Sequence, residues 1–312
     1  STSGIVSMIN AYSLAKSDFM TSAFPANFGN GLSGVFDLNF RRGNNQKTEF
    51  TGQLSLIGLD FGMEGPIGKS GSSYRVAGRY STLQLLLSTN IINLNTNNYN
   101  PDFRDLNFTV DVPTKKSGVF SLWGLMGNNE TYQTTLTEKN IDKGSLNVFG
   151  INHKISFRKV FFKNVFSMSF QSQENLKQNM TGGVAGLVTR QLIYKYPSLR
   201  FSSSLTYKFN NRLTMESGIV LSDLSYNLKD NRLGSKNVLF NYLNDDGGTN
   251  FFQVYAQLLA KLSTKIKTTI GLHQYKFLLN DATAIEPRWA LHMENKWGGV
   301  FSTGVGVHSR LE

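Results

Sequence analysis

The sequence predicts an all-β chain arranged as a transmembrane antiparallel β-barrel, and three observations lead there. Apolar and polar side chains alternate along segments of roughly 10 to 15 residues, longer than the usual soluble strand of about 5 to 6. Short polar turns alternate with longer stretches rich in Asn, Asp, Thr and Gly, the asymmetry of a barrel with periplasmic turns and extracellular loops. The chain is also poor in charge, with 17% Asp, Glu, Lys and Arg against about 25% in ordinary soluble domains.

The elements follow in chain order. Gly29, Gly31 and Gly34 come after Phe24-Pro25 and lead into the alternating run Val35 to Phe40, with Phe36, Leu38 and Phe40 on one face and Asp37, Asn39 and Arg41 on the other. Glycines at that density mark unusual dihedrals or a close approach to another surface, and an ordinary loop into a hairpin fits them as well. Strands then recur: Phe149, Ile151, Ile155 and Phe157 form one apolar face, and Phe166, Met168 and Phe170 another. Leu199, Phe201, Leu205, Tyr207 and Phe209 alternate with Arg200, Ser202, Ser204, Thr206 and Lys208. Phe252, Val254, Ala256 and Leu258 oppose Gln253, Tyr255 and Gln257. Short turns are expected at 68–73, 114–118, 210–212, 263–265 and 295–298, and long loops at 89–103, 129–144, 181–189 and 229–250. The polar face of nearly every strand suits a water-filled lumen and the apolar face suits lipid. Trp123, Tyr194, Tyr196, Tyr207, Tyr226 and Trp297 are candidates for interfacial girdles.

Composition narrows the function classes. A run of about 18 apolar residues is absent, which excludes a transmembrane helix but not a barrel. There is no cysteine, so disulfides, thiolate metal sites and cysteine nucleophiles are excluded together. A net charge of +11 is spread in ones and twos along 312 residues, unlike the patches of a nucleic-acid binder, and suits anionic lipid headgroups near the turns.

With these elements placed, SAFPANFGNGLSGVFDLNFRRGN at 22–44, followed at once by the hairpin series, resembles the end of the plug and the start of the barrel in TonB-dependent outer-membrane receptors, particularly those of Bacteroidetes type. EGPIGKSGSSYRVAGRYSTLQLL at 64–86, RDLNFTVDVPTKK at 104–116 and IEPRWALHM at 285–293 add to the resemblance. It implies a fragment: residues 1–45 as the last part of a plug domain and 46–312 as the first part of a barrel, about 12 strands of an expected 22. It also implies an integral protein of the bacterial outer membrane that actively imports a nutrient such as an oligosaccharide, peptide, metal chelate or cofactor. Its expected partners are the TonB complex, reached through an N-terminal region outside this chain, outer-membrane lipids, the unknown transported ligand and a surface lipoprotein, with no nucleic acid. A structural or secretion-associated barrel and a passive porin are the alternatives.

The expected plug-to-barrel polar network comprises Asp37, Arg41, Arg42, Glu64, Arg75, Arg79, Glu286 and Arg288, with lumen-lining charges solvated by water as the simpler reading. Ligand contacts are expected in polar, aromatic loop stretches at Asn98, Tyr99, Tyr242, Asp245 and Asp246. No cofactor or metal is expected, because Asp245-Asp246-Gly247 lacks further acids at calcium-loop spacing. No enzyme is expected either. His153, His273, His292 and His308 stand isolated in strands without a catalytic motif, and the phosphate-loop-like run ending in Gly68-Lys69-Ser70 carries Met63 where its leading glycine belongs.

Overall fold

The computed structural model describes residues 13–15, 17–21, 24–55, 58–82, 100–295 and 297–311. Two short strands, β1 (Asp18–Thr21) and β2 (Gly34–Asp37), pair antiparallel with each other in a sheet of their own. The remaining strands form one thirteen-stranded antiparallel sheet in simple sequence order. They are β3 (Glu49–Leu54), β4 (Gly58–Ile67), β5 (Ser72–Ser81), β6 (Asn100–Pro113), β7 (Val119–Thr134), β8 (Glu138–Phe157), β9 (Val160–Thr181), β10 (Val184–Lys208), β11 (Leu213–Leu233), β12 (Leu239–Lys261), β13 (Ile266–Phe277), β14 (Ala282–Glu294) and β15 (Val300–Gly306). The sequence reading of about twelve strands is thus one short. No helix among the described residues is long and apolar enough to cross a membrane.

The period-2 alternation gives the sheet two unlike faces. Its concave face collects Ser73, Asn107, Thr109, Ser121, Gln253 and Gln257, all buried, together with Ala77, Leu125, Tyr255 and Tyr275. Its convex face exposes large apolar side chains, Ile270 at 58%, Ile285 at 61% and Val305 at 66% among them. In water such a face would aggregate. In hydrocarbon it is the stable arrangement, since the ladder satisfies the backbone and apolar side chains meet lipid.

Three stretches expected as long loops are largely strand. Residues 129–144 are the end of β7, a tight turn and the start of β8; 229–250 likewise divides between β11 and β12 around a turn. At 181–189 the connection shrinks to Gly182 and Gly183, whose φ values of 58° and 81° match a two-residue hairpin turn that twists with the strands. Polar composition misled here because ladder hydrogen bonds form regardless of side-chain polarity, and a hairpin projecting into water is free to be polar on both faces. The fourth stretch, 89–103, lies mostly outside the described residues. β10 reaches 25 residues, well beyond the about 9–11 that a tilted strand needs to span a bilayer, so the upper parts of β8 to β12 project past the hydrocarbon.

Trp123 is not part of a lipid-facing girdle. Its indole Nε1 donates to Asn152 Oδ1 at 2.9 Å on the concave face, and its ring lies 6.0 Å from that of Phe40.

The convex face of β11 yields a test. Ile219→Arg, placed near mid-bilayer, should cost about 2–4 kcal/mol in lipid-vesicle refolding, whereas Ser202→Lys on the concave face should change stability by roughly 0.5 kcal/mol or less; equal effects would refute the assignment of faces.

Candidate functional site

The concave face is joined to residues 24–44 at two places. The first is held by Arg288 on β14. Its Nη1 donates toward the carbonyls of Phe24, Pro25 and Phe28 at 3.4, 2.8 and 2.5 Å, and its guanidinium lies 4.8 Å from the centre of the Phe24 ring. Gln257 Oε1 on β12 accepts the Ala26 N–H at 2.9 Å, and the Gln257 amide donates to Glu216 at 2.9 Å. Phe24 and Ala26 are each 1% exposed. Burying Phe24 is worth roughly 1.5–3 kcal/mol.

Strand register places a buried chain of polar groups behind Arg288. His273 and Glu286 are Cα partners across β13 and β14, and both side chains are fully buried. Glu286 accepts hydrogen bonds from Arg288 Nη2 at 2.6 Å, from the Ser309 N–H at 2.8 Å and from the Ser309 hydroxyl. His273 Nδ1 lies 2.9 Å from the same carboxylate, and its Nε2 lies 3.2 Å from Gln253 Oε1. A carboxylate and a guanidinium removed from water need such pairing, because a buried charge left alone costs several kcal/mol; of the guanidinium nitrogens only Nε has no hydrogen-bond partner among the described residues.

Gly29 of the glycine cluster has its explanation at this joint, as does Gly271 on β13. A Cβ on Gly29 would collide with Gln253 Oε1 and the His273 ring, and one on Gly271 would come within 2.7 Å of the Ala26 Cβ. These glycines let the segment lie flat on the wall.

The second joint gathers charges at β4 to β6. Arg41 Nη2 pairs with Glu64 Oε1 at 2.5 Å, and Glu64 Oε2 accepts the Asn44 N–H at 2.9 Å. Arg42 Nε lies 3.7 Å from Asp111, which accepts the Ser121 hydroxyl at 2.5 Å. Arg79 donates twice to Asp105, at 2.8 and 2.7 Å, and lies over the Phe103 ring. Arg75 is buried and shares a small cavity with Arg41.

Of the eight network candidates, Arg41, Arg42 and Glu64 therefore meet at one joint beside Arg75 and Arg79, while Glu286 and Arg288 build the other. Asp37, at the end of β2, forms no ion pair among the described residues. Sequence reasoning missed Asp105 and Asp111, although they sit at even spacing on the polar face of RDLNFTVDVP, and it missed His273, which register rather than spacing brings to Glu286.

The ligand candidates lie elsewhere. Asn98 and Tyr99 fall outside the described residues. Tyr242, Asp245 and Asp246 stand on β12, not in a loop. Tyr242 lies beneath the Arg232 guanidinium, 3.5 Å from ring centre to Cζ, and Asp245 accepts the Tyr226 hydroxyl at 3.0 Å. Asp246 follows Asp245 in the strand and so takes the opposite face. Beside Tyr242, on the projecting part of the hairpin, Asp230 accepts two hydrogen bonds from Arg190 at 2.9 and 2.8 Å and two from Arg232 at 3.1 and 2.9 Å. Arg190 first and Arg232 second hold its carboxyl down to about 2.

No protein-family model matches the sequence, and neither does any curated protein. Solved structures do match. The siderophore receptor PirA from Acinetobacter baumannii is 13% identical with a TM-score of 0.68, the match covering 98% of this chain and 49% of that one. The copper transporter OprC is 9% identical at 0.70, covering 97% and 52%. The outer membrane transporter YddB from Escherichia coli is 10% identical at 0.65, covering 95% and 48%. At such identities the likeness is one of fold, and the chain spans about half the length of these structures. The fold is that of a transmembrane antiparallel β-barrel, present in part.

Two tests follow. Arg288→Ala should release the 24–28 turn, raising amide exchange at Ala26 by at least tenfold in hydrogen–deuterium exchange. Arg288→Lys should not rescue it, because an ammonium lacks the planar fork; an unchanged Ala26 would refute the joint. For Asp230, a carboxyl depressed on folding stabilises fully above its unfolded value near 3.9, and that contribution is lost as pH falls through about 2. Melting between pH 5 and pH 2 should therefore show an acid-dependent loss that Asp230→Asn measurably reduces.

Proposed function

We propose that the chain is part of a TonB-dependent receptor of the bacterial outer membrane that actively imports a nutrient, acting as a transporter and not as an enzyme. The observation that carries this reading is a segment docked by its backbone against the polar concave wall of a sheet whose convex face is apolar. A passive porin needs an open lumen, whereas a wall with dedicated partners for an inner segment fits a gated one.

On this reading residues 1–45 end a plug and 46–312 begin the barrel. The sheet's edge strands β3 and β15 then find partners in further strands, because an unpaired edge in hydrocarbon costs several kcal/mol for each unsatisfied group. The partners are the TonB complex, outer-membrane lipid and the transported ligand. Among nutrient classes, a metal chelate is favoured by the likeness to a siderophore receptor and a copper transporter.

The full-length protein in planar bilayers should give no steady conductance. Cells expressing it should accumulate ferric or copper chelates only while the inner membrane is energised, and a protonophore should abolish uptake. Steady open channels together with protonophore-insensitive uptake would instead establish a passive porin.

A further inference from the structure

Between residues 37–42 and the wall formed by β6 to β9 lies a cavity of about 230 Å³. Lys154 and Lys163 both line it, and they are direct Cα partners across β8 and β9. Directly opposed side chains of one sheet face have Cβ atoms about 4.5–5.5 Å apart, and like charges in that position repel. Neither ammonium forms an ion pair among the described residues. Arg42 adds a third cation to the same cavity.

The carboxylates do not balance this charge. Asp111 is engaged by the Ser121 hydroxyl at 2.5 Å and by Arg42 at 3.7 Å. Asp37 also lines the cavity but pairs with none of the three cations. Next to the lysines, the Asn152 carbonyl is occupied by Trp123 at 2.9 Å, which fixes the amide so that its NH₂ remains as a donor. The cavity therefore presents two ammoniums, a guanidinium and an amide as donors, three cations against the two carboxylates of Asp111 and Asp37, beside an aromatic wall from Trp123. A sheet that keeps two lysines face to face gains when an anion lies between them.

We infer that Lys154, Lys163 and Arg42 form a binding site for a small oxyanion, phosphate or carboxylate, close to the end of the barrel at the 158–159 turn. The site depends only on the wall and on residues 37–42, so it stands or falls separately from active transport. Phosphate oxygens accept from guanidinium and ammonium groups in shorter, stronger hydrogen bonds than neutral donors give.

The test is calorimetric titration of the full-length protein in detergent with inorganic phosphate, and separately with acetate, at constant ionic strength. Saturable binding of either anion is expected, weakened at least tenfold by Lys154→Gln and by Lys163→Gln and unchanged by Lys208→Gln at the rim of β10. Relieving the repulsion should leave the melting temperature of the two glutamine variants equal to or above that of the parent, so lost binding cannot be ascribed to misfolding. No binding by the parent would overturn the inference, as would equal weakening by all three substitutions, which marks a diffuse charge effect. A preference for phosphate over acetate assigns the site to a free inorganic anion or phosphorylated solute; the reverse assigns it to a carboxylate group.

Discussion

Backbone polar groups placed in hydrocarbon have no water to bond, and each one left unpaired costs several kcal/mol. The remaining features of this fold answer to that constraint. It forces the ladder, the ladder forces the period of two, and that period sends Gln253, Tyr255 and Gln257 to one side while Phe252, Val254 and Leu258 go to the other. The same requirement governs the segment held inside. Residues 24–28 belong to no strand, so their carbonyls and the Ala26 N–H must find side-chain partners, and Arg288 and Gln257 supply them.

That assignment explains why charges are buried in the wall at all. Hydrophobic packing of similar volume is often as stable as a buried ion pair, but no apolar side chain can satisfy three carbonyls. Once Arg288 is required, Glu286 is needed to neutralise it, and Ser309 and His273 to fill the remaining positions of the carboxylate. The Asp230 cluster obeys a different rule. It stands where the hairpin projects into water, with two guanidiniums sharing one carboxylate. There the half-exposed guanidiniums are partly screened, while the buried carboxylate they share ties β10 to β11 and adds to stability as long as it stays ionised.

How much of this was legible depended on range. The alternation in Leu199 to Phe209 and Phe252 to Ala260 is a local property of the chain, and it located strands and faces directly. The outer hairpins were misjudged because Asn, Asp and Thr in 229–250 signal turns by propensity, while the ladder to β11 overrides propensity with hydrogen bonds. Glu286 and Arg288 stood out because charges beside a proline in an apolar strand are conspicuous. His273 did not, since nothing near it in sequence marks it, and its partner is fixed by the β13–β14 register thirteen residues away. The Lys154–Lys163 pair is hidden for the same reason, being nine residues apart and joined only by strand pairing.

The two joints differ in what they read. At the Glu64 joint, Arg41 and Arg42 reach out as side chains, so their pairing depends on those residues being arginine. At the Arg288 joint the wall reads carbonyl positions, and the segment contributes shape: a turn at 24–28, a small residue at Ala26 and no side chain at Gly29. A joint built this way tolerates change in the segment wherever the backbone path is kept, and fails where bulk is added. Phe24 is its one large apolar anchor, buried against Arg288 and His308. Separation of the segment from the wall therefore exposes little apolar surface beyond one ring, and the groups that part are hydrogen-bonding groups that lumen water can satisfy in turn. Such a contact is specific in geometry yet reversible, as an inner segment must be if it is to move while the wall around it stays paired.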